Sequence, residues 1–442
     1  MENQKCRCFK QCGGCQLQEP YPEQLQRKQQ KADRMLSKFA HVRPIIGMQD
    51  SFHYRNKVQN VYGIDRSRHI VSGVYQSTSG KYAPTESCLL EDPHAAPIVR
   101  TLKKLMWDLR IPPYDLRSGM GLLRHTMIRT SRSTGEVMLV LVTASAMIPS
   151  RKNLVKALCD AHPEITTIVQ NICPDGLPLT LGPRSITLSG KGYIEDVLCG
   201  CRFRISPASF YQVNSVQTET LYSYAIRAAG IRQGVTVIDA YCGTGTIGMI
   251  AAKSGADVIG VEQNPSAVRD AIDNAKRNGL ANIRFYQDDA GEFMQKYAAE
   301  QGKCDVLIMD PPRAGASPEF IRSAAKLRVG RIVYISCKIE TLERDLTLLE
   351  KAGYRAAEIQ PIDMFPHTTG IETVCVLERQ PDSKEAVQKK TAGQHKNAGL
   401  RTPQRSVQGS MQKKRPDSRR GHAPNKPTAQ TGKPDSRRRK KG

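Results

Sequence analysis

The chain has 442 residues, 39% of them hydrophobic, with thirteen cysteines and a formal net charge of +24. That is enough for two or three domains with substantial cores, and it excludes a short scaffold that depends on staples. There is no run of about eighteen apolar residues, and the opening MENQKCRCFK lacks an apolar core, so neither a membrane span nor a secretory leader is expected.

The expected location is therefore cytoplasmic, where a tight cysteine cluster points to metal or catalysis rather than to disulfides. Such a cluster opens the chain: CRCFKQCGGC places Cys6, Cys8, Cys12 and Cys15 within ten residues. All-thiolate ligation suits zinc or an iron–sulfur cluster. Cys6 and Cys8 are too close for both to reach one ion without straining the loop, and iron–sulfur sites often take a distant fourth ligand. YPEQLQRKQQKADRMLSKF (21–39) then has helical spacing with dense surface charge. Between about 45 and 205, strand-like runs such as GEVMLVLVTA (135–144) and TTIVQNI (166–172) alternate with turns and helical stretches such as 152–161, which predicts a mixed, mainly β domain. SFYQVNSVQTETLYSYAIRAAG (209–230) reads as a turn entering a bridging helix.

From Val235 the pattern becomes regular: VTVID, DVIGVE, IRFYQ, CDVLIMD and RIVYISC alternate with helices, which predicts an α/β fold with a parallel, doubly wound sheet to about residue 380. Residues 381–442 hold eighteen Lys or Arg against four Asp or Glu and few apolar residues, so disorder is expected there. RPDSRR (415–420) recurs as KPDSRR (433–438), and the basic charge of both tail and folded part favours a nucleic-acid partner. The predicted organisation is an N-terminal cysteine cluster and helix (1–44), a central RNA-binding domain (45–230), a third, doubly wound domain (231–380) and the tail (381–442).

DAYCGTGTIG (239–248) sets Gly243, Gly245 and Gly248 between a strand and a helix, which alone would also fit a dinucleotide. An acidic residue ends each successive strand: Asp239, Glu262, Asp288 or Asp289, and Asp310. Carboxylates along one sheet edge suit a ribose diol beside a cationic ligand, so S-adenosyl-L-methionine is the expected cofactor. VYISCK puts Cys337 at the end of the next strand, and Glu372 in IETV precedes a further apolar strand. A thiolate, a carboxylate and a methyl sulfonium in one crevice suit methylation of uracil C5. Thiolate attack at C6 makes C5 nucleophilic, and a base then removes the C5 proton so that the cysteine can leave. The target base must be extruded or unpaired.

CGGCQLQ, YRNKVQ (54–59), SPASFYQVN (206–214), DAYCGTGTIG, DPPRAG (310–315), YISCK and MFPHT…IETV together resemble the RNA uracil-5-methyltransferase family over residues 6–378. The cysteine-bearing N-terminus resembles the iron–sulfur branch acting on 23S ribosomal RNA. The resemblance implies a class I methyltransferase domain behind a central, mainly β domain. It implies Cys337 as nucleophile, Glu372 as base, and Gln212, Tyr241, Glu262 and Asp310 as contacts to S-adenosyl-L-methionine, with Asp289 or its neighbour Asp288 as a further contact. It also implies a [4Fe-4S] cluster on Cys6, Cys12, Cys15 and Cys88, with Cys8 left out. Two departures stand out: Gly370 occupies a position where the family often has His, with His367 nearby, and the cysteines begin too early for the family's small N-terminal RNA-binding barrel. The expected protein is a monomeric 23S rRNA (uracil-5-)-methyltransferase. The rival readings are a tRNA uracil-5-methyltransferase and a non-catalytic iron–sulfur RNA-binding protein.

Overall fold

A computed structural model of the chain describes residues 6–76, 82–174 and 180–381. The expected tail, 381–442, lies outside the described residues from 382 onward. After a single turn, α1 (Phe9–Cys12), comes α2 (Tyr21–Leu36), whose buried residues Gln24, Lys28, Ala32 and Leu36 recur every fourth position and so form one stripe.

The first sheet is built from β1 (Lys57–Ile64), β2 (Ile70–Tyr75) and β3 (Tyr82–Pro84), then, beyond α3 (Ala95–Asp108), β4 (Leu123–Thr130) and β5 (Val137–Thr143), and, beyond α4 (Arg151–Ala161), β6 (Ile165–Ile172) and β7 (Arg184–Ser189). Its order is β3-β2-β1-β4-β5-β6-β7. Every pairing is antiparallel except β5 with β6, the one pair joined by a helical crossover. The mixed sheet expected from the alternating runs is therefore present. A hairpin of β8 (Ile194–Leu198) and β9 (Cys201–Ile205) leads to α5 (Ser215–Ala229).

The second sheet follows the predicted alternation: β10 (Thr236–Ala240), α6 (Thr246–Lys253), β11 (Asp257–Glu262), α7 (Pro265–Arg277), β12 (Ile283–Gln287), α8 (Ala290–Ala299), β13 (Val306–Met309), α9 (Pro318–Lys326), β14 (Arg331–Ser336), α10 (Ile339–Lys351), β15 (Tyr354–Ile362) and β16 (Glu372–Arg379). Its order is β12-β11-β10-β13-β14-β16-β15, with β10 to β14 parallel and β16 antiparallel to both neighbours. The central strand β13 is buried throughout, as a strand covered by helices on both faces must be. This reversed strand on an otherwise parallel sheet is the class I methyltransferase arrangement.

The two sheets share a core: Met138, Val140 and Val142 of β5 lie in one buried cluster with Phe203, Leu221, Val237, Ile308 and Val374. Residues 42–46 run along the edge strand β15 through parallel bridges Val42–Ile359 and Ile46–Ile362. That contact covers an edge which would otherwise expose unpaired backbone.

Candidate active site

The glycine loop joins β10 to α6 at the C-terminal edge of the parallel strands, where open α/β sheets hold ligands. Tyr241, Gly243 and Gly245 all have positive φ, 63°, 56° and 78°. A Cβ at Gly245 would stand 2.7 Å from the Phe285 ring, so both the backbone conformation and the space exclude a side chain. Glu262, ending β11, accepts from Gly243 N (3.1 Å) and Asn264 N (2.8 Å), and thereby ties this loop to the next. Asp239 is buried beneath the loop, where its Oδ2 accepts from Gly248 N at 2.8 Å and its buried Oδ1 has no partner among the described residues. Burial, with Asp310 and Glu262 adding to it, pushes the Asp239 carboxyl up to about 7.

Gln212, Tyr241, Gly243, Thr244, Thr246 and Asp310 line the pocket above this loop. Three of the four expected cofactor residues therefore share one wall, and Glu262 braces it from behind. Asp288 and Asp289 follow β12, and Asp289 is close enough to add to the upward shift of the Tyr241 hydroxyl. Asp288 pairs with Lys296 at 2.9 Å, while Asp289 caps α8 through Gly291 N and Glu292 N. The pocket fits S-adenosyl-L-methionine: glycines leave the backbone open, hydroxyls and an amide face in, and an unpaired buried carboxylate oxygen lies under a loop lined by further acids.

Strand register brings the expected nucleophile and base together. The β14–β16 ladder ends at Ser336–Thr373, so Cys337, the residue after β14, comes opposite Glu372, the first residue of β16, which still pairs with Ile362 of β15. Glu372 is 4% exposed and Cys337 half-buried. Burial and then Asp310 push the Glu372 carboxyl well up, with Arg313 opposing. The Cys337 thiol is raised by burial, then by Glu372 and Asp310, again with Arg313 opposing. Asp310, directly after β13, is itself raised to about 7 by burial. One thiol, two carboxyls and one guanidinium thus share a single field.

A family model described as tRNA (Uracil-5-)-methyltransferase matches residues 190–380. The chain is 40% identical over 379 residues to an uncharacterized RNA methyltransferase of Halalkalibacterium halodurans, covering 84% of this chain and 82% of that one. It is also 40% identical over 382 residues to another from Caldanaerobacter subterraneus subsp. tengcongensis, covering 85% and 84% respectively. The chain belongs to the RNA uracil-5-methyltransferase family. Among solved structures, it resembles the Pyrococcus abyssi tRNA (uracil-54, C5)-methyltransferase in complex with S-adenosyl-L-homocysteine. The TM-score is 0.69 and the identity 27%, over 83% of this chain and 86% of that one.

Several residues that position this family site escaped the sequence reading. Asn56 of the YRNKVQ stretch donates to Gln212 O (3.0 Å) and Ser215 Oγ (2.9 Å), and its backbone N–H to Val213 O. Buried Arg129 donates to Ser209 O at 2.5 Å, and burial lowers its guanidinium to about 10. Asn214 caps α5 and donates to Met364 O (2.9 Å). The loop that carries Gln212 is therefore held from both sides. His367, near the Gly370 departure, has other work: Gln24 and Ser51 bond its two ring nitrogens, and Phe52 stacks on it at 4.7 Å.

At the N-terminus, Cys6 and Cys12 act on the Cys15 thiol, and Cys15 acts on Cys88. Cys8 turns its sulfur toward Pro84 O at 3.9 Å. The donor chemistry matches an all-thiolate cluster, yet among the described residues no three His, Cys, Asp or Glu side chains stand close enough to hold a metal ion. None of the described helices is long and apolar enough to cross a membrane.

Proposed function

We propose that this protein methylates uracil C5 in RNA, with S-adenosyl-L-methionine as methyl donor and 23S ribosomal RNA as substrate. The observation that carries the reading is the emergence of Cys337 and Glu372 side by side from one strand ladder, within the field of Asp310. Gln212, Tyr241 and Asp310, with Glu262 bracing the loop, would hold the donor, which supplies a methyl group on a cationic sulfur.

Cys337 is the nucleophile. Its sulfur bonds to C6, and the C5–C6 π electrons move toward C5 and the C4 oxygen. C5 then takes the methyl group, the electron pair of the broken S–CH3 bond staying on sulfur to leave a neutral thioether, and Glu372 removes the remaining C5 proton. The C5–H electron pair re-forms the C5–C6 double bond and expels the Cys337 thiolate. Because burial raises Asp310 and Glu372, with Asp310 adding to the shift at Glu372, a cation in the adjoining pocket would favour the ionised forms this chemistry needs. The test is transfer of labelled methyl to total RNA, followed by nucleoside and site mapping. Formation of 5-methyluridine, abolished in Cys337→Ala, is expected; full activity in that variant would refute the mechanism. A transfer-RNA substrate is the second reading, favoured by the archaeal structural neighbour, and the mapped site separates the two.

The N-terminal cysteines support a further part of this reading, a [4Fe-4S] cluster on Cys6, Cys12, Cys15 and Cys88 that pins the segment to the central sheet. Backbone N–H groups of Gln16 and Leu17 already bond His367 O. Visible absorbance of the purified protein lost in Cys88→Ser and kept in Cys8→Ser would support it, and the reverse would exclude it.

A further inference from the structure

α2 does more than cover the second sheet. Arg27, Lys31 and Arg34 are spaced i, i+4 and i+7 along it and form one wall of a groove whose other wall includes Thr369 and Ile371. Ile371 is bonded directly to Glu372. On the other flank, Lys31 Nζ pairs with Glu340 Oε1 at 2.7 Å, and Glu340 belongs to α10, which begins two residues after Cys337. The groove therefore runs past the two strand ends that carry the reactive pair. Lys28 at its floor is neutralised by buried Asp363 at 2.6 Å. Among the described residues, Arg27 pairs with Glu19 at 3.0 Å with the arginine 66% exposed, and Lys31 pairs with Glu340, which is 49% exposed. Arg34 is exposed.

Exposed pairs of this kind contribute little, whereas phosphate offers a charge-assisted partner with several acceptor oxygens. We propose that this groove carries the phosphate backbone of the RNA strand flanking the extruded uridine, with Arg27, Lys31 and Arg34 as phosphate ligands. Glu19 and Glu340 hold the cations until RNA displaces them. The inference rests on the RNA reading above and adds where the strand lies.

The test uses the full chain, with fluorescent poly(uridylic acid) as probe, titrated across roughly 50 to 200 mM salt. Losing three phosphate contacts at about 0.7 each should flatten the slope of log affinity against log salt by about 2 in the Arg27→Gln/Lys31→Gln/Arg34→Gln variant. Binding of S-adenosyl-L-homocysteine should not change. The Glu19→Gln/Glu340→Gln variant should bind the probe more tightly, an effect that loss of structure would not produce. An unchanged salt slope in the triple variant, or unchanged or weaker binding in the double variant, overturns the proposal. Methyl transfer by the unaltered protein is scored separately, so its failure would count against the proposed function and not against the groove.

Discussion

Replacing Asp310 with Asn should make the protein more stable and less active. Asp310 follows β13 into the pocket, and burial raises its carboxyl from 3.8 to about 7. A carboxyl raised on folding contributes stability that is fully present below its unfolded pKa and is lost as pH climbs through the folded one. At pH 8 the ionised group therefore costs about 4 kcal/mol at 1.36 kcal/mol per unit, or about 2 after halving for partial solvent access. The amide removes that cost and also relieves Asp239, Glu372 and Cys337, each of which Asp310 pushes up. With the entropy of unfolding expected for a folded unit of this length, Tm should rise by roughly 2–3 °C at pH 8, the gain shrinking toward pH 5. Thermal unfolding of both proteins across that range is the assay. Alkylation of Cys337 against pH, followed by peptide mass spectrometry, should show the thiol titrating lower in the variant. An Asp310→Asn variant that melts no higher than the parent at pH 8 would refute the electrostatic account of this site.

Glu372→Gln should leave Cys337 able to attack but unable to be released, so a covalent protein–RNA complex that survives denaturing electrophoresis should accumulate; its absence in Cys337→Ala identifies the bond. Asn56→Ala removes two donated hydrogen bonds to the loop of Gln212 and Ser215 and should cost about 1–3 kcal/mol in chemical unfolding. Its KM for S-adenosyl-L-methionine should rise more than its kcat falls, because the loop touches the pocket and not the reactive pair.

The second sheet was legible because a parallel sheet covered on both faces needs short apolar strands, and VTVID, DVIGVE and VLIM are that. The acids at the strand ends were legible for the same reason, since the end of an apolar run marks the sheet edge. What could not be read was anything set by contact across the chain. Asn56 reaches Gln212 over 156 positions, and Arg129 reaches Ser209 over 80, with no periodicity to betray either. The adjacency of Cys337 and Glu372 was expected only as a shared crevice. Their side-by-side exit follows from the antiparallel register of β16, which a list of strands does not contain. His367, close in sequence to the expected base, likewise meets Gln24 and Ser51 from far along the chain.

The burial that makes the site expensive is also what the proposed chemistry would draw on. Among its ionisable groups, Asp239, Asp310, Glu372 and Cys337 are acids pushed up, and Arg313 is the cation that opposes the shifts at Glu372 and Cys337. A fold selected for stability alone would place apolar side chains there. A pocket lined by a glycine loop and half-neutral acids instead gains most from a cationic ligand, because such a ligand relieves the repulsion that the empty site carries. On the proposed mechanism, binding and activation would be the same electrostatic event. A sulfonium in the pocket would also draw Glu372 and Cys337 toward the ionised states that the proposed transfer requires.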